Sequence, residues 1–162
     1  MIFRQMKITF LLTGKTDVEP IKVLMDEYTK RIGHYTNFEV ITIPDIKNIK
    51  NLAIEQYRQK EAELQKKYLT KSDFIILLDE NGKEYTSEKF AQFLEHKIQI
   101  GIKNLVFVVG GAFGFTEEIR KMAEQSFSLS RMTFPHQLVR LIFLEQLYRA
   151  FTIIRKEKYH HS

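Results

Sequence analysis

Three glycines within five residues mark the first segment whose residue types suggest ligand binding. The run Gly110-Gly-Ala-Phe-Gly114 follows an apolar strand and precedes a helix. Glycine lets the backbone approach a ligand closely, and ligands of open α/β sheets collect at the carboxyl ends of strands. The spacing matches neither a dinucleotide fingerprint nor a P-loop, and Glu117 and Glu118 beyond it would repel a phosphate. The run predicts a site for a neutral or cationic ligand, or else a plain tight turn.

A second candidate segment extends from Ser126 to His136, between a short strand and a helix that begins with proline. Its serines and backbone groups offer hydrogen-bond donors and acceptors, while Met132 and Phe134 offer apolar walls. Taken alone, the same segment is also typical of an ordinary strand-to-helix connection.

Histidines supply the remaining candidates for chemistry. His136 lies at a helix start, where the helix dipole disfavours an imidazolium, so capping or packing is its simplest role. His160 and His161 follow Tyr159 at the chain end, where a general base or a metal ligand is conceivable although chain ends commonly fray. The chain has no cysteine, which excludes a thiol nucleophile, a disulfide scaffold and zinc–thiolate sites. No other spacing indicates a metal site.

Alternating strands and helices must position these segments. The pattern predicts an α/β fold with a mostly parallel sheet and helices on both faces. The predicted strands cover residues 6–13, 38–43, 74–78, 105–109 and 127–130. The predicted helices cover 17–32, a largely exposed 48–68, a segment capped by Ser87, a segment starting at Thr116, and Pro135 to about Lys156.

The last predicted helix carries apolar residues around nearly its whole circumference. A helix that is apolar all round is buried all round, yet one sheet face covers only part of it. A homodimer is the simplest source of a second covering surface; the alternative is a helix enclosed within one chain.

Composition limits the remaining classes of protein. A chain of 162 residues with no linker or repeat predicts a single domain covering 1–162. Its apolar runs are too short for a membrane span and its first six residues too short for a signal peptide, which predicts a cytoplasmic protein. The net charge is +5, and residues 131–162 contribute six basic and two acidic side chains. That imbalance is compatible with a phosphate-rich partner.

Five sequence blocks, in this order, resemble the RlmH family of small SPOUT-class RNA methyltransferases. They are Leu-Asp-Glu-Asn-Gly-Lys (78–83), Phe-Val-Val-Gly-Gly-Ala-Phe-Gly (107–114), Ser-Leu-Ser-Arg-Met-Thr-Phe-Pro-His-Gln-Leu-Val-Arg (128–140), Glu-Gln-Leu-Tyr-Arg-Ala (145–150) and Tyr-His (159–160). The resemblance extends from Met6 to the C-terminus. Residues 1–5 precede the usual start of the family and are interpreted as an N-terminal extension.

The resemblance implies a C-terminal trefoil knot, with the cofactor-binding knot region at about 74–156, and a homodimer. It also implies S-adenosylmethionine as cofactor and N3 of a pseudouridine in 23S ribosomal RNA as the methyl acceptor, in the assembled ribosome. Neither a metal nor a membrane is implied. The cofactor contacts carried onto this chain are Leu78, Gly110, Leu129, Ser130, Arg131, Met132, Thr133 and Phe134.

Methyl transfer is an in-line displacement that needs alignment and no enzyme nucleophile. The imide N3–H must lose its proton, and His160 and His161 are the candidate bases. Arg140 or Arg149 is the candidate for holding a phosphate or stabilising the developing anion. Candidate RNA contacts are Arg140, Arg149, Tyr159 and His160.

Two departures from the family pattern bear on these roles. Phe113 stands where the family often has a polar residue, and the tail ends His161-Ser162 where the family commonly has arginine. A non-catalytic ribosome-binding or RNA-binding factor with the same fold is the alternative. A hydrolase or nucleotide-binding enzyme is disfavoured because its motifs are missing.

Overall fold

Five parallel strands form one sheet in the order β2-β1-β4-β3-β5. The computed structural model describes residues 5–161, with the backbone alone for His160 and His161. Residues 1–4 of the predicted extension lie outside that range. The strands are β1 (Lys7–Thr13), β2 (Asn37–Ile43), β3 (Phe74–Glu84), β4 (Asn104–Val109) and β5 (Gln125–Ser128). The predicted parallel α/β fold is confirmed.

Helices cover both faces of this sheet. The helices are α1 (Glu19–Gly33), α2 (Ile54–Lys66), α3 (Ser87–Gln99), α4 (Glu117–Met122) and α5 (His136–Ile154), with short 3₁₀ segments at Ile49–Asn51 and Lys158–His161. Buried residues of α1, α3 and α5 share one apolar cluster, and those of α2 and α4 share the other. Alternate residues of β4 enter opposite clusters, because a central parallel strand is buried on both sides.

Strand β3 continues beyond its predicted end at Leu78. It pairs with β5 up to Leu78, and the pairing resumes at Lys83 after a register shift. The acidic and glycine residues of 79–82 are typical of a turn. Here they are not paired with β5, but strand β3 continues through them to Glu84. The prediction was wrong because the partner strand that continues the ladder is distant in the sequence.

Two helix starts also differ from the sequence prediction. Thr86, rather than Ser87, caps α3, since its Oγ1 accepts the Lys89 N–H at 3.2 Å. Ser87 instead donates to Gln146 Oε1 at 2.6 Å. The predicted helix over 48–68 is interrupted, because Asn48 adopts a left-handed conformation and α2 begins only at Ile54.

Helix α5 packs across β1 and β4 between α1 and α3. Its Phe143 ring lies 4.6 Å from that of Phe10 and 4.7 Å from that of Phe107. The outward apolar residues Leu138, Leu141 and others on this helix are half-buried in the single chain. The helix is thus not fully enclosed, and the homodimer and the trefoil knot stay predictions. Within residues 5–161, no helix is long and apolar enough to cross a membrane.

Gly82 tests the contact between β3 and β5. A Cβ at this position would lie 2.6 Å from the backbone carbons of Ser126 and Phe127, so Gly82→Ala must separate the strands. We expect a loss of about 2 kcal/mol in the free energy of unfolding, measured by urea denaturation.

Gly33→Ala is the matched control, because Gly33 ends α1 and, apart from its chain neighbours and the backbone of its own helix, no atom lies within 4 Å of the position that a Cβ would occupy there. Alanine should stabilise this site by up to about 1 kcal/mol. Equal unfolding midpoints for the two variants would contradict the close β3–β5 packing.

Candidate functional site

The loops that follow β3, β4 and β5 meet at one edge of the sheet. Leu78 of β3 pairs with Val109 of β4 on one side and with Phe127 of β5 on the other. The next residues of all three strands therefore emerge side by side. This pairing brings together the segments predicted from the 78–83, 107–114 and 128–140 blocks.

Two cavities occupy this edge and share Leu78, Asp79 and Glu80 as lining residues. The first has a volume of about 130 Å³. Its other lining residues are Phe127, Leu129, Ser130, Met132, Thr133, Phe134 and Val139. The second, of about 480 Å³, is bounded by residues 110–115, Asn81 and Arg120. Seven of the eight predicted cofactor residues line one of these two cavities.

Arg131 is the exception among the predicted cofactor residues. Its side chain is 84% exposed and pairs with Glu84 at 3.3 Å. It lines a neighbouring cavity with residues 80–82. Arg131 is therefore placed at the rim rather than in either shared cavity.

Serine side chains shape the loop after β5. Ser128 Oγ donates to the Ser130 carbonyl at 3.0 Å, and Ser130 Oγ accepts the Met132 N–H at 3.0 Å. These local bonds turn the chain so that the apolar Phe134 lines the first cavity while Met132 remains 74% exposed at its margin.

The glycine loop is held from behind by a residue that the sequence interpretation missed. The Gly111 N–H donates to Glu61 Oε1 at 2.8 Å, and Glu61 is 2% exposed. Burial raises the pKa of Glu61, and the hydrogen bond from Gly111 opposes that rise. The prediction of a largely exposed helix was wrong at Glu61, Ala62 and Gln65, because a charged segment gives no sign that one carboxylate is buried.

Acidic side chains dominate the boundary between the two cavities. Asp79 accepts hydrogen bonds from the Asn81 N–H at 2.9 Å and from Arg120 at 2.6 Å. Burial alone would raise the pKa of Asp79, but these two donors lower it below its ordinary value. Asp79 is therefore ionised at neutral pH and neutralises Arg120, while Glu80 adds an exposed negative charge. This arrangement suits a neutral or cationic ligand better than a phosphate.

Arg140 lies within the fold rather than on its surface. It is 1% exposed and donates to the carbonyls of Thr13 at 2.7 Å and Gly14 at 2.9 Å, and to Thr16 Oγ1 at 2.8 Å. It thereby ties α5 to the end of β1. Burial, together with the charge of Arg140, lowers the pKa of nearby His136. The single chain does not present Arg140 to an RNA phosphate.

The other predicted RNA contacts cluster at the far end of α5. Arg149 Nε donates to Glu145 Oε1 at 2.9 Å, and the Tyr159 hydroxyl donates to the same oxygen at 3.2 Å. The Tyr159 hydroxyl also lies 3.2 Å from that of Tyr28. The side chains of His160 and His161 lie outside the described residues. The single chain thus places Arg149 and Tyr159 together, but away from the two cavities.

The described residues contain no group of three His, Asp or Glu side chains that could hold a metal ion.

Comparison with known proteins identifies the fold family. The family model described as "Predicted SPOUT methyltransferase" matches residues 6–160. The chain belongs to the SPOUT methyltransferase family. A protein of Flavobacterium johnsoniae named "Ribosomal RNA large subunit methyltransferase H" is 52% identical over 97% of this chain and 100% of its own length. A protein of the same name from Parabacteroides distasonis is 51% identical with the same coverage. The predicted resemblance to the RlmH branch of SPOUT methyltransferases is confirmed.

One solved structure also resembles this SPOUT methyltransferase. It is that of the SpoU methyltransferase AviRb from Streptomyces viridochromogenes in complex with AdoMet, with a TM-score of 0.47 and 10% identity. The likeness covers 90% of this chain and 58% of that one.

Asp79 predicts a pH-dependent contribution to stability. Because its pKa is lowered in the folded state, ionised Asp79 stabilises the fold above the unfolded pKa of about 3.9. That contribution is lost as the pH falls through the lower folded value. We expect Asp79→Asn to reduce the free energy of unfolding at pH 7 by about 1 kcal/mol, with the difference from the unaltered protein shrinking as the pH falls below about 5.

Urea denaturation across this pH range measures the effect. Glu80→Gln is the control, since Glu80 is the exposed neighbour of Asp79 in the same strand. A difference for Asp79→Asn that stays constant with pH would contradict the role of its charge.

Proposed function

We propose that this SPOUT methyltransferase uses S-adenosylmethionine to methylate ribosomal RNA of the large subunit. The observation that carries the proposal is the pair of cavities that share Leu78 as a lining residue, with Gly110 lining one and residues 129–134 lining the other. The names of the relatives, at about half identity over nearly the whole chain, support the same substrate class.

The charge and shape of the site fit this cofactor. When bound, S-adenosylmethionine supplies a methyl group on a positively charged sulfonium sulfur. Glu80 adds a negative charge that complements a cation, and the charge of Arg120 is already neutralised by its pairing with Asp79. Leu78, Phe134 and other apolar residues form walls for the adenosine, while loop backbone groups can bind its polar edge. The protein's contribution is therefore to orient the cofactor and exclude water around it.

The specific acceptor within this proposal is N3 of a pseudouridine in 23S ribosomal RNA, in the assembled ribosome of the cytoplasm. Its imide N3–H must lose a proton before or during transfer. We assign that proton to His160 or His161, with Arg149 and Tyr159 at the RNA surface beside them. Ribosome shape can replace a separate RNA-binding domain, since structured RNA is recognised largely through shape and backbone.

The C-terminal tail lies far from the cavities of its own chain, and a homodimer would bring it close to the cavities of the partner subunit. Helix α5 begins directly after the 129–134 loop and has 19 residues, so its far end is about 28 Å away. Contacts of Tyr159 with Tyr28 and Tyr148 hold the tail there. We propose that each tail serves the cavities of the partner subunit, and that the half-buried apolar face of α5 supplies part of the interface.

Gly110→Val tests the placement of the cofactor. Calorimetric titration with S-adenosylmethionine should show at least about tenfold weaker binding, which corresponds to ~1.4 kcal/mol. A Cβ at Gly110 would lie 3.1 Å from the Phe115 ring, so folding is checked by circular dichroism at the titration temperature. Unchanged affinity in a folded variant would remove Gly110 from the site.

Methyl transfer is measured with isotope-labelled cofactor on ribosomes and on free ribosomal RNA. Mass spectrometry of ribosomal RNA from cells with and without the gene then locates the modified nucleotide. Cofactor and RNA binding without transfer would favour a non-catalytic ribosome-binding factor. A methyl group elsewhere than N3 of pseudouridine would correct the acceptor.

Subunit mixing tests the exchanged tails. Gly110→Val, assayed at a cofactor concentration too low to occupy its weakened site, and the double variant His160→Ala/His161→Ala should each be inactive alone. Co-expressed at equal amounts, half of the dimers combine the two variants and carry one intact site, so activity returns to about a quarter of the unaltered level. Heterodimers that form but remain inactive would place each tail at its own subunit's site.

A further inference from the structure

Glu61 is a buried carboxylate without a countercharge in the part of the chain that the structure describes. It is 2% exposed, and its Oε1 accepts hydrogen bonds from the Gly111 N–H at 2.8 Å and from Gln65 Nε2 at 3.3 Å. Its Oε2 is buried with no hydrogen-bond partner among residues 5–161. Burying such a group is costly, and an apolar side chain would pack there more favourably. Stability alone therefore does not account for Glu61.

The carboxylate and the glycine loop also interlock in shape. A Cβ at Gly111 would lie 2.2 Å from Glu61 Oε2, and its three nearest atoms would all belong to the Glu61 carboxyl group. Gly111 does not have a positive φ, so backbone conformation does not demand glycine there. The loop cannot move toward α2 unless the Glu61 carboxyl group shifts, and a movement away would leave the Gly111 N–H unpaired.

Two further side chains of α2 contact the same loop. The Tyr57 ring meets the Phe113 ring edge-on, with centroids 5.3 Å apart. Arg58 donates to the carbonyl oxygen of Phe115. Together with Glu61 they hold the loop at its beginning, middle and end. The ring contact with Tyr57 also gives Phe113 a structural partner, at the position where the family often has a polar residue.

Gly110 and Gly111 line the larger cavity, and Glu61 does not. We propose that Glu61 is a positioning residue of the cofactor site, which sets the glycine loop through the Gly111 N–H. The identity of the ligand rests on the proposed function. The hydrogen bond between Glu61 and Gly111 does not depend on which ligand binds.

Three variants of α2 separate this role from general packing. Glu61→Ala removes the acceptor, Glu61→Gln keeps an acceptor oxygen at nearly the same volume, and Glu63→Ala is the control at an exposed glutamate two residues away. Titration with S-adenosylmethionine should give about tenfold weaker binding for Glu61→Ala, the loss expected for one hydrogen bond of about 1.4 kcal/mol. Glu61→Gln and Glu63→Ala should bind within about threefold of the unaltered protein.

Kinetics with ribosomes provide a second measurement. Glu61→Ala should raise the KM for S-adenosylmethionine while kcat changes less, because Glu61 touches neither the methyl group nor its acceptor. A lower melting temperature with unchanged affinity and KM would show a purely structural role and overturn the proposal. If Glu61→Gln and Glu61→Ala weaken S-adenosylmethionine binding equally, the proposed role of the hydrogen bond is overturned.

Gly111→Ala completes a double-mutant cycle. In the unaltered background the new methyl group collides with Glu61 and should weaken cofactor binding about tenfold or more. In the Glu61→Ala background the space is free, so the same substitution should change affinity by less than about threefold. If Gly111→Ala changes the cofactor affinity equally in both backgrounds, the steric coupling between Gly111 and Glu61 is overturned.

Amide hydrogen exchange at Gly111 is measured without ligand. Protection should fall in Glu61→Ala and persist in Glu61→Gln. If the unaltered protein fails to bind S-adenosylmethionine, the proposed function fails and with it the cofactor part of this inference, whereas the exchange result still decides whether Glu61 holds the loop. Equal protection in all variants overturns that contact.

Discussion

Strand β3 is paired along both of its edges at Leu78, with β4 on one side and β5 on the other. Parallel strands in register deliver their following loops to one edge of the sheet. The glycine loop, the 79–82 segment and the 129–134 loop are separated in sequence but adjacent in space for this reason. Both cavities at this edge depend on the pairing, because none of the three loops forms the site alone.

Aromatic packing fixes the short strand β5 in that position. Phe127 contacts Tyr85 at a centroid distance of 4.5 Å, Phe90 at 5.1 Å and Phe107 at 6.2 Å. A strand of four residues has few ladder bonds of its own, so much of its stability must come from such packing. Since the 129–134 loop starts two residues after Phe127, the core of the protein directly sets the wall of the site.

The site also carries charge that a simple core would avoid. Asp79 is stabilised by Arg120 and a backbone N–H, whereas Glu61 accepts one backbone N–H and leaves one oxygen unpaired. Asp79 thus contributes to stability, whereas burial raises the pKa of Glu61 and so disfavours its ionised form. Binding sites commonly retain groups that lower the stability of the fold because function requires them. The position of Glu61 behind the glycine loop is consistent with such a functional role.

Local patterns determined a large part of this protein. Continuous apolar runs predicted buried parallel strands, and glycine, proline and capping residues predicted most element boundaries, because these signals act within a few residues. The family blocks predicted Leu78, Gly110 and the 129–134 loop as one site. Only the tertiary structure decided that β3 continues to Glu84, that Arg140 bonds to the end of β1, and that Glu61 is buried. Each of these depends on a partner at least 40 residues away in the chain, and neither periodicity nor residue type records which distant backbone group a side chain will meet.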